Sequence, residues 1–191
     1  MNKAYSMEEK YRLIKDSLLK SEGSNPIRIA KKIMQLDYVS IHGPEHHFLD
    51  GGAFMAALKN AGLAINLEEM LDKLAERSIK MPGAMCGYWG VCGSITSLGA
   101  TFSLLHEVGP LSDSRYYSDD MEYASLVIKK MSEIGGPRCC KRNAFISIST
   151  AISFAKNKYG IELEAEDIIC EYSDRNQQCI GDRCPFSNSR K

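Results

Sequence analysis

Residues 44–62 read PEHHFLDGGAFMAALKNAG, and this stretch sets the pattern for the whole chain. Pro44 is suited to the opening of a helix, where its missing N–H costs nothing, and Gly62 is suited to its end. The same punctuation recurs on both sides. Residues 5 to 21 carry Tyr11, Ile14, Leu18 and Leu19 at helical spacing, and Asn25-Pro26 opens a second helix through Ile29, Ile33 and Met34. Asn66 with Glu69 three residues later forms a capping-box-like start for a fourth. Beyond a Gly-rich loop, CGSITSLGATFSLLHEV is the fifth helix. A sixth follows Ser118 and stops at Gly135-Gly136, and a seventh runs from Pro137 to Lys158. The expectation is an all-α domain of about seven helices resembling a bundle, with one short strand in IELEAEDIICEYS and an irregular, cysteine-rich C-terminal segment.

A chain of 191 residues, 44% hydrophobic, suffices for one buried core. The division expected is a single domain, 1–191, in which 1–39 is an N-terminal extension of two helices and 40–187 is a core rich in cysteine and histidine. With 24 basic and 24 acidic side chains the net charge is zero, so the broad positive field that draws nucleic acid or anionic membranes is absent. No run of about eighteen apolar residues and no signal-peptide pattern is present, which predicts a cytoplasmic protein.

Seven cysteines in a reducing compartment argue against a disulfide framework, and an odd number would leave one over. Metal binding, thiol chemistry and plain burial remain. Cys86 and Cys92 flank the loop CGYWGVC, and Cys139 and Cys140 stand together in GGPRCCKR, read as the first turn of the seventh helix. Unpaired N–H groups there carry partial positive charge that favours thiolate, reinforced by Arg138, Lys141 and Arg142. Successive side chains on a helix diverge by about 100°, so the vicinal pair serves two functions, touches two atoms of a cluster, or includes a buried bystander.

The segment CEYSDRNQQCIGDRCPF adds Cys170, Cys179 and Cys184 and has few apolar residues, which calls for a staple, a metal or docking onto a larger body. The gaps of five residues (Cys86 to Cys92), eight (Cys170 to Cys179) and four (Cys179 to Cys184) differ from the paired Cys-x-x-Cys of zinc ribbons. Iron–sulfur clusters draw ligands from distant segments, and Cys184-Pro185 matches the end of a ferredoxin-type motif, so an iron–sulfur cluster ranks above zinc. The candidate metal ligands are Cys86, Cys92, Cys139, Cys140, Cys179 and Cys184, with Cys170 read as buried.

A second concentration, IHGPEHHFLD, holds His42, His46 and His47 within six residues. His46 and Asp50 can share a helical face with Glu45 adjacent, as a carboxylate-completed metal site or an acid–base pair. His42, Glu45 and His46 are the candidate catalytic residues, expected at the edge of a pocket. HGPEHH, MPGAMCGYWGVCG and GGPRCCKR each deliver Cys or His to a helix start. If these starts converge, they form a pocket for something anionic.

HGPEHHFLDGGAFMAALKNAG, MPGAMCGYWGVCG, GGPRCCKRNAF and QCIGDRCPF, in that order, resemble the family catalogued as domain of unknown function 5714. The resemblance covers roughly residues 40 to 187. It implies relatives in anaerobes, either stand-alone or joined to putative S-adenosylmethionine-dependent methyltransferases, and no established reaction. CGSITSLGATFS is also similar to small helical redox proteins with a GCA-type cysteine motif. The expectation is a cytoplasmic metal-binding protein whose iron–sulfur cluster serves redox, sulfur-transfer or methyl-transfer-associated chemistry, with a methyltransferase or redox protein as partner. The alternatives are a zinc or metal-free module for a small anionic or thiol ligand, or a thiol–disulfide or metalloid-handling protein using Cys139 and Cys140.

Overall fold

The computed structural model describes residues 4–188, among which eight α-helices and two single-turn 3₁₀ segments occur and no strand does. The chain is all-α, as expected. Helix α1 (Met7–Leu19) opens on a capping box in which Ser6 and Glu9 satisfy each other's backbone N–H groups, and α2 (Pro26–Met34) is capped by Asn25. Helix α3 (His46–Asn60) starts two residues after Pro44, because the Gly43 and Pro44 carbonyls first accept the His46 and His47 N–H groups in a tight turn. Asn66 caps α4 (Leu67–Ser78) by accepting the Glu69 N–H.

Four further elements differ from the sequence reading. The Gly-rich loop contains a single helical turn, α5 (Met85–Tyr88), ahead of α6 (Gly93–Leu105). Helix α7 (Arg115–Ile134) begins after Ser114, three residues before Ser118. Helix α8 (Cys140–Tyr159) begins three residues after Pro137, so Cys139 is its extended N-cap rather than part of its first turn. The stretch 161–172 is extended but lies beside helices, with no strand edge to pair with. It is held to α2 by Arg28–Glu166 and Lys31–Glu171 ion pairs, both 3.0 Å.

Helix α3 is the axis of the fold: every residue from His46 through Leu58 is buried, and it packs against α1, α2, α4, α6 and α8. Its closest neighbour is α6, and the small residues of both explain why. A Cβ on Gly51 would lie 2.5 Å from Thr101 Oγ1 and 2.8 Å from the Ser97 carbonyl, while the Gly51 N–H donates to Ser97 Oγ at 2.9 Å. Each interior glycine costs about 1 kcal/mol against alanine, and this close helix contact offsets it. Phe54, Phe102, Tyr123 and Phe154 form an aromatic cluster where α3, α6, α7 and α8 meet. Ile14, Leu18, Ile27 and Ile33 of α1 and α2 belong to the same core. Among the described residues no helix is long and apolar enough to cross a membrane.

Candidate metal centre

After α8 the chain runs back along the bundle and ends in two 3₁₀ turns, Ser173–Arg175 and Gly181–Arg183, laid over the start of α8. The Cys170 N–H donates to the Phe186 carbonyl at 2.8 Å, and the Phe186 ring meets Phe145 of α8 edge to face at 5.5 Å. This fold-back brings Cys139, Cys170, Cys179 and Cys184 around one cavity of about 20 Å³, walled by Phe145, Ile180 and Phe186. Each sulfur accepts a backbone N–H: Cys139 from Arg142 at 3.4 Å, Cys170 from Tyr172 at 3.4 Å, Cys179 from Gly181 at 3.5 Å, and Cys184 from Phe186. In three of the four the donor lies two residues downstream, the mark of a tight turn folded around the sulfur. Burial pushes the Cys170 and Cys184 thiols up, and these N–H groups oppose it.

Two polar side chains complete the surroundings. Arg142 is 5% exposed and donates through Nη2 to the Gly135 and Pro137 carbonyls. Its Nε has no partner, and no carboxylate pairs with it among the described residues. Asn176 donates to Cys139 Sγ at 3.5 Å and accepts from His42 Nε2 at 2.9 Å, while His42 Nδ1 accepts the Cys140 N–H at 3.4 Å. His42 is therefore a neutral, oriented imidazole linked through Asn176 to Cys139, and burial lowers its pKa.

The other candidate groups lie elsewhere. Cys140 does not line this cavity: it accepts from the Gly43 backbone, and burial drives its thiol up to about 12. Burial likewise raises Cys92. At Cys140 the thiolate expected from the helix-end charge is thus overridden by desolvation. Cys86 and Cys92 line a separate cleft of about 450 Å³, where Asn143 donates to Cys92 Sγ at 3.3 Å.

Glu45 and His46, expected at the edge of a pocket, are interior. Burial favours the protonated Glu45 carboxyl, but the Ser40 N–H at 2.7 Å and the Lys10 ammonium at 3.0 Å hold it down to about 2. His46 bridges Asp50 and Lys141, both fully buried, at 3.2 Å on each side. Lys141 lies 5.1 Å from the centroid of the Tyr172 ring, and burial lowers its pKa to about 8. His47 packs against Gly93, whose missing Cβ makes room for the imidazole.

Six cysteines were the candidate metal ligands. The structure groups Cys139, Cys179 and Cys184, adds Cys170, and leaves Cys86, Cys92 and Cys140 outside that cavity. Asn176 carried no expected role, and Lys141 was expected only to favour the neighbouring thiolates, not to be a buried partner of His46. Lys141 did leave a signal, since it shares a helical face with Phe145 and Ile148, and a lysine on an apolar face calls for a buried partner. Among the described residues no three His, Cys, Asp or Glu side chains are disposed as ligands of a single metal ion.

A family model described as a family of unknown function (DUF5714) matches residues 14–187, reaching further upstream than the four motifs, into α1. No curated protein and no solved structure matches.

Proposed function

We propose, from the premise that this chain belongs to the family of unknown function DUF5714, that the four-cysteine cavity holds an iron–sulfur cluster and that the protein works as a redox component. The observation that carries this reading is that four cysteine sulfurs line one cavity and each accepts a backbone N–H. Such bonds favour the thiolate that a metal requires, and hydrogen bonds to sulfur tune cluster potentials. Four thiolates crowded together repel one another unless cations intervene. Arg142, a buried guanidinium without a carboxylate, supplies one positive charge, and metal would supply the rest.

Zinc is the runner-up, and geometry bears on the choice. Zinc would gather four sulfurs at about 2.3 Å around one point, whereas a cluster would spread the four thiolates over more than one iron. The described side chains do not converge on one point. The space among them, about 20 Å³, is about one water in size, so a cluster would need more room than the cavity holds as it stands. A bound cluster would exchange single electrons. Phe145, Ile180 and Phe186 would keep water away, and exposed Cys179 would mark the face that a redox protein or methyltransferase partner approaches.

The test is anaerobic purification followed by iron, acid-labile sulfide and visible absorption measurements on one sample. Iron with matching sulfide and a visible band that bleaches on reduction supports the cluster. Stoichiometric zinc without sulfide replaces it with a zinc module, and metal-free protein ends the metal reading.

A further inference from the structure

The 450 Å³ cleft at Cys86 and Cys92 lies between the α5 loop, the end of α7 and the start of α8. Ile95 of α6 and Ile128 of α7 form part of its wall and part of the wall of a second hollow, a groove of about 680 Å³ between α6 and α7. The two spaces adjoin across these side chains. The groove is largely apolar, with Ala100 on one side and Met121 and Ala124 on the other, although Arg77 and Asp120 also line it. Gly99 widens it, since a Cβ there would meet no atom within 4 Å. Met121 is 58% exposed along it, and open apolar surface of this kind marks a ligand groove.

The cleft end differs in chemistry. Arg138 is exposed on its wall, Arg142 lies behind it, and neither has a carboxylate partner among the described residues. A guanidinium fork matches a carboxylate or phosphate. We infer that cleft and groove together bind an amphipathic anion, with a carboxylate or phosphate head at Arg138 and an apolar chain along α6 and α7. This goes beyond the metal reading and does not depend on it.

Calorimetric titration of the full chain with dodecanoate and dodecyl phosphate, below micelle formation, tests the site. Both are expected to bind saturably at one site, and dodecanol more weakly. Arg138→Gln should weaken dodecanoate binding about tenfold, the usual cost of one charge-assisted contact. Gly99→Leu, which fills the groove from an open helical position, should weaken it at least tenfold, with circular dichroism confirming the helix content of both variants. Absence of saturable binding, dodecanol binding as tightly as dodecanoate, or unchanged affinity in Gly99→Leu would each overturn the proposal. Vesicles of phosphatidylglycerol separate the two sources of such a head: binding of vesicles without binding of soluble chains would mean surface adsorption and reject the cleft as a site.

Discussion

Lys141 Nζ lies 3.2 Å from His46 Nε2 in the interior of the bundle, although neither side chain reaches solvent to any useful extent. His46 Nδ1 faces Asp50 at 3.2 Å. A carboxylate only accepts, so Nδ1 carries the proton and Nε2 accepts from the lysine. The three groups thus form one chain from a buried anion to a buried cation through a neutral ring.

Breaking that chain at one end leaves the other charge without compensation, which costs about 3–5 kcal/mol in buried pairs. Asp50→Asn is therefore expected to destabilise strongly. Lys141→Met should cost less, because the methionine keeps the apolar stem. The double variant should be more stable than the sum of the two single losses predicts. Urea unfolding of the four proteins measures this coupling, and strict additivity would show that Asp50 and Lys141 do not communicate.

Glu45 predicts the acid limit of the fold. Its carboxyl titrates at about 2 in the folded chain against 4.5 for the free group, so the folded state binds fewer protons than the unfolded state between these values. The stabilisation is complete above pH 4.5 and disappears as pH falls towards 2, and it amounts to about 3 kcal/mol for a shift of this size. Glu45→Gln should flatten the stability profile in that window and leave its shape at neutral pH unchanged. Thermal unfolding across pH 2–6 checks it.

Most helices were legible because their ends are written in local chemistry. Asn25 before Pro26, Asn66 before Glu69, and Gly160 after Tyr159 each act within one turn of the backbone they satisfy. The four-cysteine cavity was only partly legible because it depends on chain return. Cys170 sits among Ile168 and Ile169 and reads as buried, yet its N–H pairs with Phe186, sixteen residues on, and that contact turns it towards Cys139. The thiolate expectation for Cys140 failed for a related reason: a helix-end charge is local, but the desolvation that drives this thiol to about 12 comes from the whole surrounding core.

Two glycines separate close packing from open space. Gly51→Ala would press a methyl group onto the Ser97 carbonyl, a backbone atom held in α6, and is expected to destabilise by about 1–3 kcal/mol, as overpacking does. Gly99→Ala meets nothing within 4 Å in the middle of the same helix and should stabilise by up to about 1 kcal/mol through helix propensity alone. Chemical denaturation of both variants is sufficient, and a stabilising Gly51→Ala would contradict the close contact of α3 and α6.

Serine substitutions distinguish the four-cysteine cavity from the other thiols. Serine keeps the size of the side chain but is a poor ligand for a thiophilic metal, so Cys139→Ser, Cys170→Ser and Cys184→Ser should each lower metal content per chain, whereas Cys86→Ser and Cys140→Ser should leave it near the wild-type level. Cys170 is the sharpest case, because its sequence neighbours gave it no role and only the fold-back places it at the cavity. Cys140 is the sharpest control, because it adjoins Cys139 in sequence but accepts from Gly43 on the other side of the helix start. Metal analysis of anaerobically purified variants, with circular dichroism to confirm their folding, reads the result. Loss of metal in Cys140→Ser with retention in Cys170→Ser would assign the centre to the histidine side of α8 instead.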